Sequence, residues 1–184
     1  LIETASYRLL QRIVSQYQCP IVLLGGGGAG KTSLIRLLAR DWVKTGGSAI
    51  FIELRQITDE RDLFRALDHG LKGNNTSTSD NNELIVSSSA DHLLHSVVSL
   101  VSREDPPPLI LLDGLEEAFD MDSIRRGVWL ISERTRAVVV LTSRIGPFST
   151  TGMPWGPFHV IQIPPLSPTE FHELLVRLGV NDDV

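Results

Sequence analysis

The sequence predicts an α/β domain of three layers, in which a five-stranded parallel β-sheet carries helices on both faces. Three observations predict it. Apolar runs of strand length alternate with stretches of helical periodicity along most of the 184 residues. Several of these runs are continuously apolar, as strands covered on both faces are. The glycine-rich stretch GGGGAGK, Gly25 to Lys31, sits between the first such run and the first long helix.

The elements follow in order. The opening ETASYRLLQRIVSQY places Ala5, Leu9, Leu10, Ile13 and Tyr17 on one helical face, with Thr4 available as a cap. This leading helix, within residues 1–18, is expected to pack against the sheet edge. Strand one is Ile21 to Leu24, and a helix from about Thr32 to Lys44 follows the glycine loop. TGG ends that helix, and SAIFIEL reads as strand two, Ala49 to Leu54. A helix near Asp59 to Leu71 comes next, with Thr58 as its cap.

Residues 72–88 are a polar, low-complexity loop, expected to be exposed and mobile. SADHLLHSVVSLVSR resumes helical periodicity and stops at EDPPP, which cannot continue a helix. LILLD is the third strand, Met121 to Arg134 a helix, and AVVVLTSR the fourth strand. A Gly/Pro-rich connector that includes Trp155 leads to HVIQI, the fifth. A last helix starts near Pro168 with Ser167 as its cap. Residues 1–165 thus form one domain, and 166–184 begin a second, helical unit.

Composition narrows the function classes. With 42% hydrophobic and 21% charged residues, the chain is an ordinary globular protein. Its net charge of −5 lacks the basic footprint expected of a nucleic-acid binder, so no nucleic acid is indicated. No apolar run reaches the length of a membrane span, and no membrane partner is expected. The lone cysteine, Cys19, forms no internal disulfide, which points to a reducing, cytoplasmic compartment and to a small buried hydrophobe. The start at Leu1 reads as a fragment of a longer protein.

Three motifs carry chemistry. The first, Gly25-x4-Gly30-Lys31-Thr32, satisfies the phosphate-loop pattern in the required strand–loop–helix context. The backbone of Gly25, Gly26, Gly27, Gly28, Ala29 and Gly30, continued by Lys31, Thr32 and Ser33, is expected to cradle the phosphates of a nucleotide. Glycines admit positive φ, backbone N–H groups converge on the anion, and the helix N-terminus adds its dipole. Lys31 would reach the β- and γ-phosphates, and the Thr32 hydroxyl would ligate Mg²⁺. The second motif is LILLDGLEE, in which Asp113 closes a buried strand and emerges at the carboxyl edge, where it can hold Mg²⁺ opposite Thr32. Glu116 or Glu117 could polarise a water for attack on the γ-phosphate. Alternatively, these acids are the acidic N-terminus of a helix. The third is VVVLTSR, whose strand ends in Thr142, Ser143 and Arg144; the arginine can sense a γ-phosphate through charge-assisted hydrogen bonds. Lys31, Asp113, Glu116 and Arg144 are therefore the candidate catalytic residues.

A glycine-rich phosphate loop, LLDGLEE and VVVLTSR, in this order, resemble the STAND class of signalling ATPases, including NACHT and NB-ARC domains. IELRQITDERDLFRALDHGL is similar to the segment after their first helix, and IQIPPLSPTEFHELL looks like the junction to their lid subdomain. The resemblance implies a P-loop NTPase of the AAA+-like kind, with strand order 5-1-4-3-2. It implies an ATP/ADP-controlled switch with slow Mg²⁺-dependent hydrolysis, effector and sensor domains in the same full-length chain, and nucleotide-dependent homo-oligomers. On that resemblance, an arginine-bearing nucleotide motif would precede Leu1, and a glycine-leucine-proline lid motif and a winged helix would follow Val184. The chain by itself is then expected to bind nucleotide weakly and stay monomeric.

Other readings fare less well. No Asn-Lys-x-Asp element follows the fourth strand, so guanine specificity is not expected. No arginine-rich lid suggests a small-molecule kinase. Arg125 and Arg126 read as a solvated helical face rather than as fingers toward a neighbouring subunit. His92 and His95, at i and i+3, lack a third ligand and read as an exposed helix face. The alternative to the switch is a motor-like AAA+ ATPase that turns over ATP repeatedly.

Overall fold

A computed structural model of the chain describes residues 5–15, 19–75, 89–146 and 158–165. The expected caps Thr4 and Ser167, Tyr17, Trp155, most of the polar loop and the second unit at 166–184 lie outside the described residues. Strands β1 (Ile21–Leu24), β2 (Ala49–Glu53), β3 (Leu109–Asp113), β4 (Val138–Ser143) and β5 (His159–Gln162) form one sheet in the order β2-β3-β4-β1-β5. Every pairing is parallel. This is the expected order, counted from the other edge.

Helices α1 (Ala5–Val14), α2 (Lys31–Lys44), α3 (Glu60–Asn75), α4 (Ala90–Val101) and α5 (Met121–Arg134) cover the two faces. The period of two along each strand divides the core between them. Ile21, Leu23, Leu109, Leu111 and Val140 face α1 and α2. Val22, Leu24, Ile110, Leu112 and Leu141 face α3, α4 and α5. The strand residues facing both layers are apolar, so the sheet's carboxyl edge is the place where polar strand-end residues collect.

Several local expectations shift. Strand β2 stops at Glu53, and Leu54–Gln56 form a 3-10 turn instead of its last residue. The residue capping α3 is Asp59, whose Oδ1 accepts from the Asp62 N–H at 2.9 Å; the Thr58 hydroxyl donates instead to the Asp62 carboxylate. Helix α3 runs to Asn75, into the start of the predicted loop, where Lys72 donates to Asp68 Oδ2 at 2.7 Å. On α1 the buried face is Tyr7, Leu10, Ile13 and Val14, while Leu9 is exposed. Tyr7 can be buried because its hydroxyl donates to Asp41 Oδ2 on α2 at 2.6 Å. Cys19 is half-buried and precedes β1.

Of the α5 arginines, Arg126 is exposed as expected and Arg125 is not. Arg125 is only 1% exposed and pairs with Asp122 at 3.4 Å, and burial lowers its pKa. Arg126 Nε donates to Glu60 Oε2 at 2.6 Å, tying α5 to the start of α3. That tie works because the two helices approach closely: a Cβ on Gly127 would lie 3.2 Å from the Glu60 Cβ and 3.3 Å from Leu63 Cδ2. His92 and His95 are exposed on α4, as expected, and no group of metal-ligating side chains occurs among the described residues. No described helix is long and apolar enough to cross a membrane.

Candidate functional site

The carboxyl ends of β2, β3 and β4, together with the glycine loop after β1 and the start of α2, line a polar cleft of about 350 Å³. That volume lies within the range of small-molecule sites, about 300–1,000 Å³. Gly25 continues the β1 ladder, its N–H donating to Ser143 O at 3.2 Å. A Cβ at Gly25 would lie 3.1 Å from the Ala29 Cβ and 3.2 Å from Ile163 O, so a side chain there would have to push its neighbours back by a few tenths of an ångström. Gly28 and Gly30 take φ of 74° and 78°, the left-handed region glycine adopts freely. Gly30 is the residue before α2, so the turn that needs glycine also aims the helix N-terminus into the cleft. Above Gly26, Gly27, Gly28 and Gly30 a Cβ would meet nothing within 4 Å, which leaves the loop's concave side open.

Lys31 Nζ donates to Gly25 O at 2.9 Å and to Gly26 O at 3.0 Å, so its ammonium is held over the loop. The Thr32 hydroxyl meets the Asp113 carboxylate at 2.8 Å (Oδ2) and 3.1 Å (Oδ1). Thr142, buried at the end of β4, donates to Asp113 Oδ1 at 2.5 Å and accepts from the Gly114 N–H at 2.8 Å. One hydroxyl thereby fixes both the carboxylate and the turn after β3. That turn, with Gly114 at φ 80°, opens the 3-10 helix Leu115–Glu117.

Glu116 and Glu117 leave this turn in different situations. Glu116 is engaged through both oxygens by Arg144: Nε lies 3.2 Å from Oε1, and the Arg144 backbone N–H donates to Oε2 at 3.1 Å. Glu117 is exposed and packs on Gly114. Lys31, Thr32, Asp113, Glu116 and Arg144 are thus brought together around one cleft, with Gly27 and Gly28 in its wall. Gly25 and Gly26 contribute the carbonyls that hold Lys31, Ala29 is buried beneath the loop, and Ser33 is exposed on the first turn of α2.

Three further residues line the cleft that sequence reasoning did not single out: Arg36, Glu53 and Arg55. The signal for two of them was present, since Glu53 and Arg55 follow an apolar run as Asp113 and Arg144 do. The lining is therefore charged but balanced, with cations Lys31, Arg36, Arg55 and Arg144 against Glu53, Asp113, Glu116 and Glu117.

Divalent magnesium prefers oxygen ligands and retains several waters, so one carboxylate and one hydroxyl are an adequate protein contribution. Thr32 and Asp113 converge in that way. The donor set fits Mg²⁺ and does not fit a metal needing three or four protein side chains.

No protein-family model and no curated protein matches the chain. Solved structures do. The Orc1 protein of Aeropyrum pernix in complex with DNA matches with a TM-score of 0.71 and 16% identity, over 96% of this chain and 49% of that one. Cdc6p from Pyrobaculum aerophilum gives 0.73 and 14%, over 95% and 48%. The replication initiator DnaA, bound to AMPPCP and single-stranded DNA, gives 0.60 and 15%, over 98% and 53%. The chain spans about half the length of each. At these identities the fold is what is shared, and it is the AAA+ P-loop NTPase fold. These likenesses do not single out the STAND class, so the narrower resemblance gains no support from them. Two of the three were solved with DNA, so the expectation of no nucleic acid, drawn from net charge, is not borne out for this fold.

Proposed function

We propose that the chain is the adenine-nucleotide-binding core of an AAA+ ATPase, taking ATP or ADP with Mg²⁺ in the cleft at the carboxyl edge of the sheet. The observation that carries the reading is the convergence of Lys31, Thr32 and Asp113 on the open side of the glycine loop. The loop N–H groups and the α2 N-terminus bind the phosphates, and Lys31 exchanges its two carbonyl partners for phosphate oxygens. Thr32 and Asp113 would hold Mg²⁺, which when bound neutralises phosphate charge. Thr142 keeps the Asp113 carboxylate oriented. Arg144 reads the third phosphate, and Glu116 orients the attacking water once its carboxylate is released from Arg144.

The fold shared with the neighbours supports the AAA+ reading, which we take as an ATPase that turns over repeatedly. A second reading, a slow nucleotide-dependent switch for oligomerisation, is supported by one observation: Arg144 occupies both Glu116 oxygens, which restrains the water-orienting group. On that reading residues 166–184 begin a lid, and effector and sensor domains belong to the same full-length protein.

Purified protein should be denatured and any released nucleotide identified by chromatography; the emptied protein is then titrated with ATP and ADP and its steady-state hydrolysis followed. Steady hydrolysis supports the AAA+ ATPase. Retained ADP without turnover supports the switch. Absence of binding to either nucleotide in the presence of Mg²⁺ refutes both.

A further inference from the structure

Strand β2 ends beside β3 in register, Glu53 opposite Asp113. The chain then makes its 3-10 turn, anchored by the fully buried Leu54, next to the matching turn anchored by the fully buried Leu115. Two buried leucines thereby fix Arg55 on one side of the Asp113 wall, while β4 delivers Arg144 on the other. The two arginines are held alike. Arg55 Nη2 lies 2.5 Å from Glu53 Oε2, as Arg144 lies on Glu116, and both guanidinium side chains are about 60% exposed (61% and 62%), free to swing into the cleft.

Glu53 has a second cation. Arg36 on α2 lies 4.0 Å from Glu53 Oε1, with its guanidinium over the Phe51 ring at 5.2 Å. If Arg55 leaves, Glu53 therefore keeps a second cation within 4.0 Å. The two arginines are equally exposed, 61% for Arg55 and 63% for Arg36, and differ in position: Arg36 also lies over Phe51, whereas Arg55 follows the buried Leu54 in the cleft wall.

We propose that Arg55 is a second γ-phosphate-sensing residue, released from Glu53 to the terminal phosphate of a bound nucleoside triphosphate while Arg36 takes over Glu53. The inference rests on the nucleotide reading of the same cleft. It makes Glu53 the group that sets how readily the site distinguishes a triphosphate from a diphosphate, since a diphosphate offers Arg55 nothing to move to.

The test measures the affinities of ATP and ADP, each with Mg²⁺, for the 184-residue chain and for Arg55→Ala, Arg55→Lys and Glu53→Gln, alongside their melting temperatures. Arg55→Ala should weaken ATP about tenfold or more and leave ADP within about twofold, as loss of one charge-assisted contact does. Arg55→Lys should restore part of the ATP affinity. Glu53→Gln, which keeps shape and removes the competing charge, should tighten ATP relative to ADP. An unchanged ATP/ADP ratio in Arg55→Ala overturns the inference and leaves the nucleotide reading standing. Equal weakening of both nucleotides assigns Arg55 a structural part and also overturns it. If Arg55→Ala does not fold, an unchanged ratio in Glu53→Gln overturns it instead. Failure of the unaltered chain to bind either nucleotide overturns the nucleotide reading and this inference together.

Discussion

Lys31→Ala perturbs the cleft at its most committed cation. In the structure the ammonium is bound to two loop carbonyls, Gly25 O and Gly26 O. The exposed Gly26 carbonyl can return to water while the Gly25 carbonyl belongs to a buried residue, so the variant's own fold should lose about 1–3 kcal/mol. Nucleotide at a hundredfold excess over Kd stabilises the native protein by about 2.7 kcal/mol. Removing a charge-assisted phosphate contact weakens binding by about 1.5–3 kcal/mol, roughly 10- to 150-fold. At the same ligand concentration the residual stabilisation is then about 0.3–1.3 kcal/mol. A domain of this size shifts its melting temperature by about 2–4 °C per kcal/mol. The nucleotide-induced shift should therefore fall from about 5–11 °C to about 1–5 °C in a thermal melt run with and without Mg-ATP. His92→Ala, exposed on α4 and remote from the cleft, is the control that should retain the full shift. A full shift in Lys31→Ala, taken from the ligand-free variant's own melt, would refute the assignment of the loop as the phosphate site.

The remaining predictions concern how the site and core are held. Thr142→Val deprives Asp113 of a 2.5 Å donor and the Gly114 N–H of its acceptor. It should cost about 1–3 kcal/mol in urea unfolding and reduce Mg²⁺-dependent nucleotide binding, whereas Thr142→Ser should restore both; a neutral valine variant would show that Thr142 does not position the carboxylate. Gly127→Leu forces a side chain between α5 and α3 and should destabilise by about 1–3 kcal/mol, read from the denaturant midpoint. For Tyr7→Phe the expected signature is a pH profile. Asp41 is held below its ordinary 3.8 first by the Tyr7 hydroxyl, against the opposing effect of desolvation, with Lys44 and Arg40 assisting. Stability from this source is complete above 3.8 and is lost as pH falls through the depressed value. Tyr7 itself is raised well above 10.0, first by burial and then by Asp41, so its contribution is lost only as pH rises beyond that ordinary value. Tyr7→Phe should thus lower the melting temperature at neutral pH and flatten both the acid and the alkaline limb; unchanged limbs would remove the pair as their cause.

What the sequence made legible follows from how each residue is flagged. Asp113 and Thr142 each directly follow a long apolar run, and a strand buried on both faces leaves its first polar side chain at the sheet edge, with Arg144 two residues beyond Thr142. The strand order came through family resemblance, because periodicity locates strands without saying which are neighbours. Glu53 and Arg55 follow the apolar run AIFI, but only the pairing of β2 beside β3, which the run itself does not reveal, brings them to the same cleft as Asp113. Arg125 was misread because charge usually signals exposure, while a long side chain paired with Asp122 one turn away can be buried. The one-residue error at the α3 cap arose because Thr58 and Asp59 are both good capping types, and only backbone geometry selects Asp59.

The two arginines also bear on whether the core can act as a switch. One hydrogen bond to a γ-phosphate is worth about 1.5–3 kcal/mol, and reversing an equilibrium from 1:99 to 99:1 takes about 5.5 kcal/mol. Arg144 alone falls short. Arg144 and Arg55 together offer about 3–6 kcal/mol gross. Each must first leave a glutamate, at a cost of about 0.2–1 kcal/mol for the more exposed Arg55–Glu53 pair and more for Glu116, whose side chain is only 11% exposed. Arg36 lowers that cost on the β2 side by keeping Glu53 paired. The net therefore falls short of the switching threshold across most of its range. A switch built on this core needs further nucleotide-dependent contacts from outside the cleft. An enzyme that turns over needs none, because it must release the γ-phosphate in every cycle, and two moderately held arginines suit that task better than one strongly held contact.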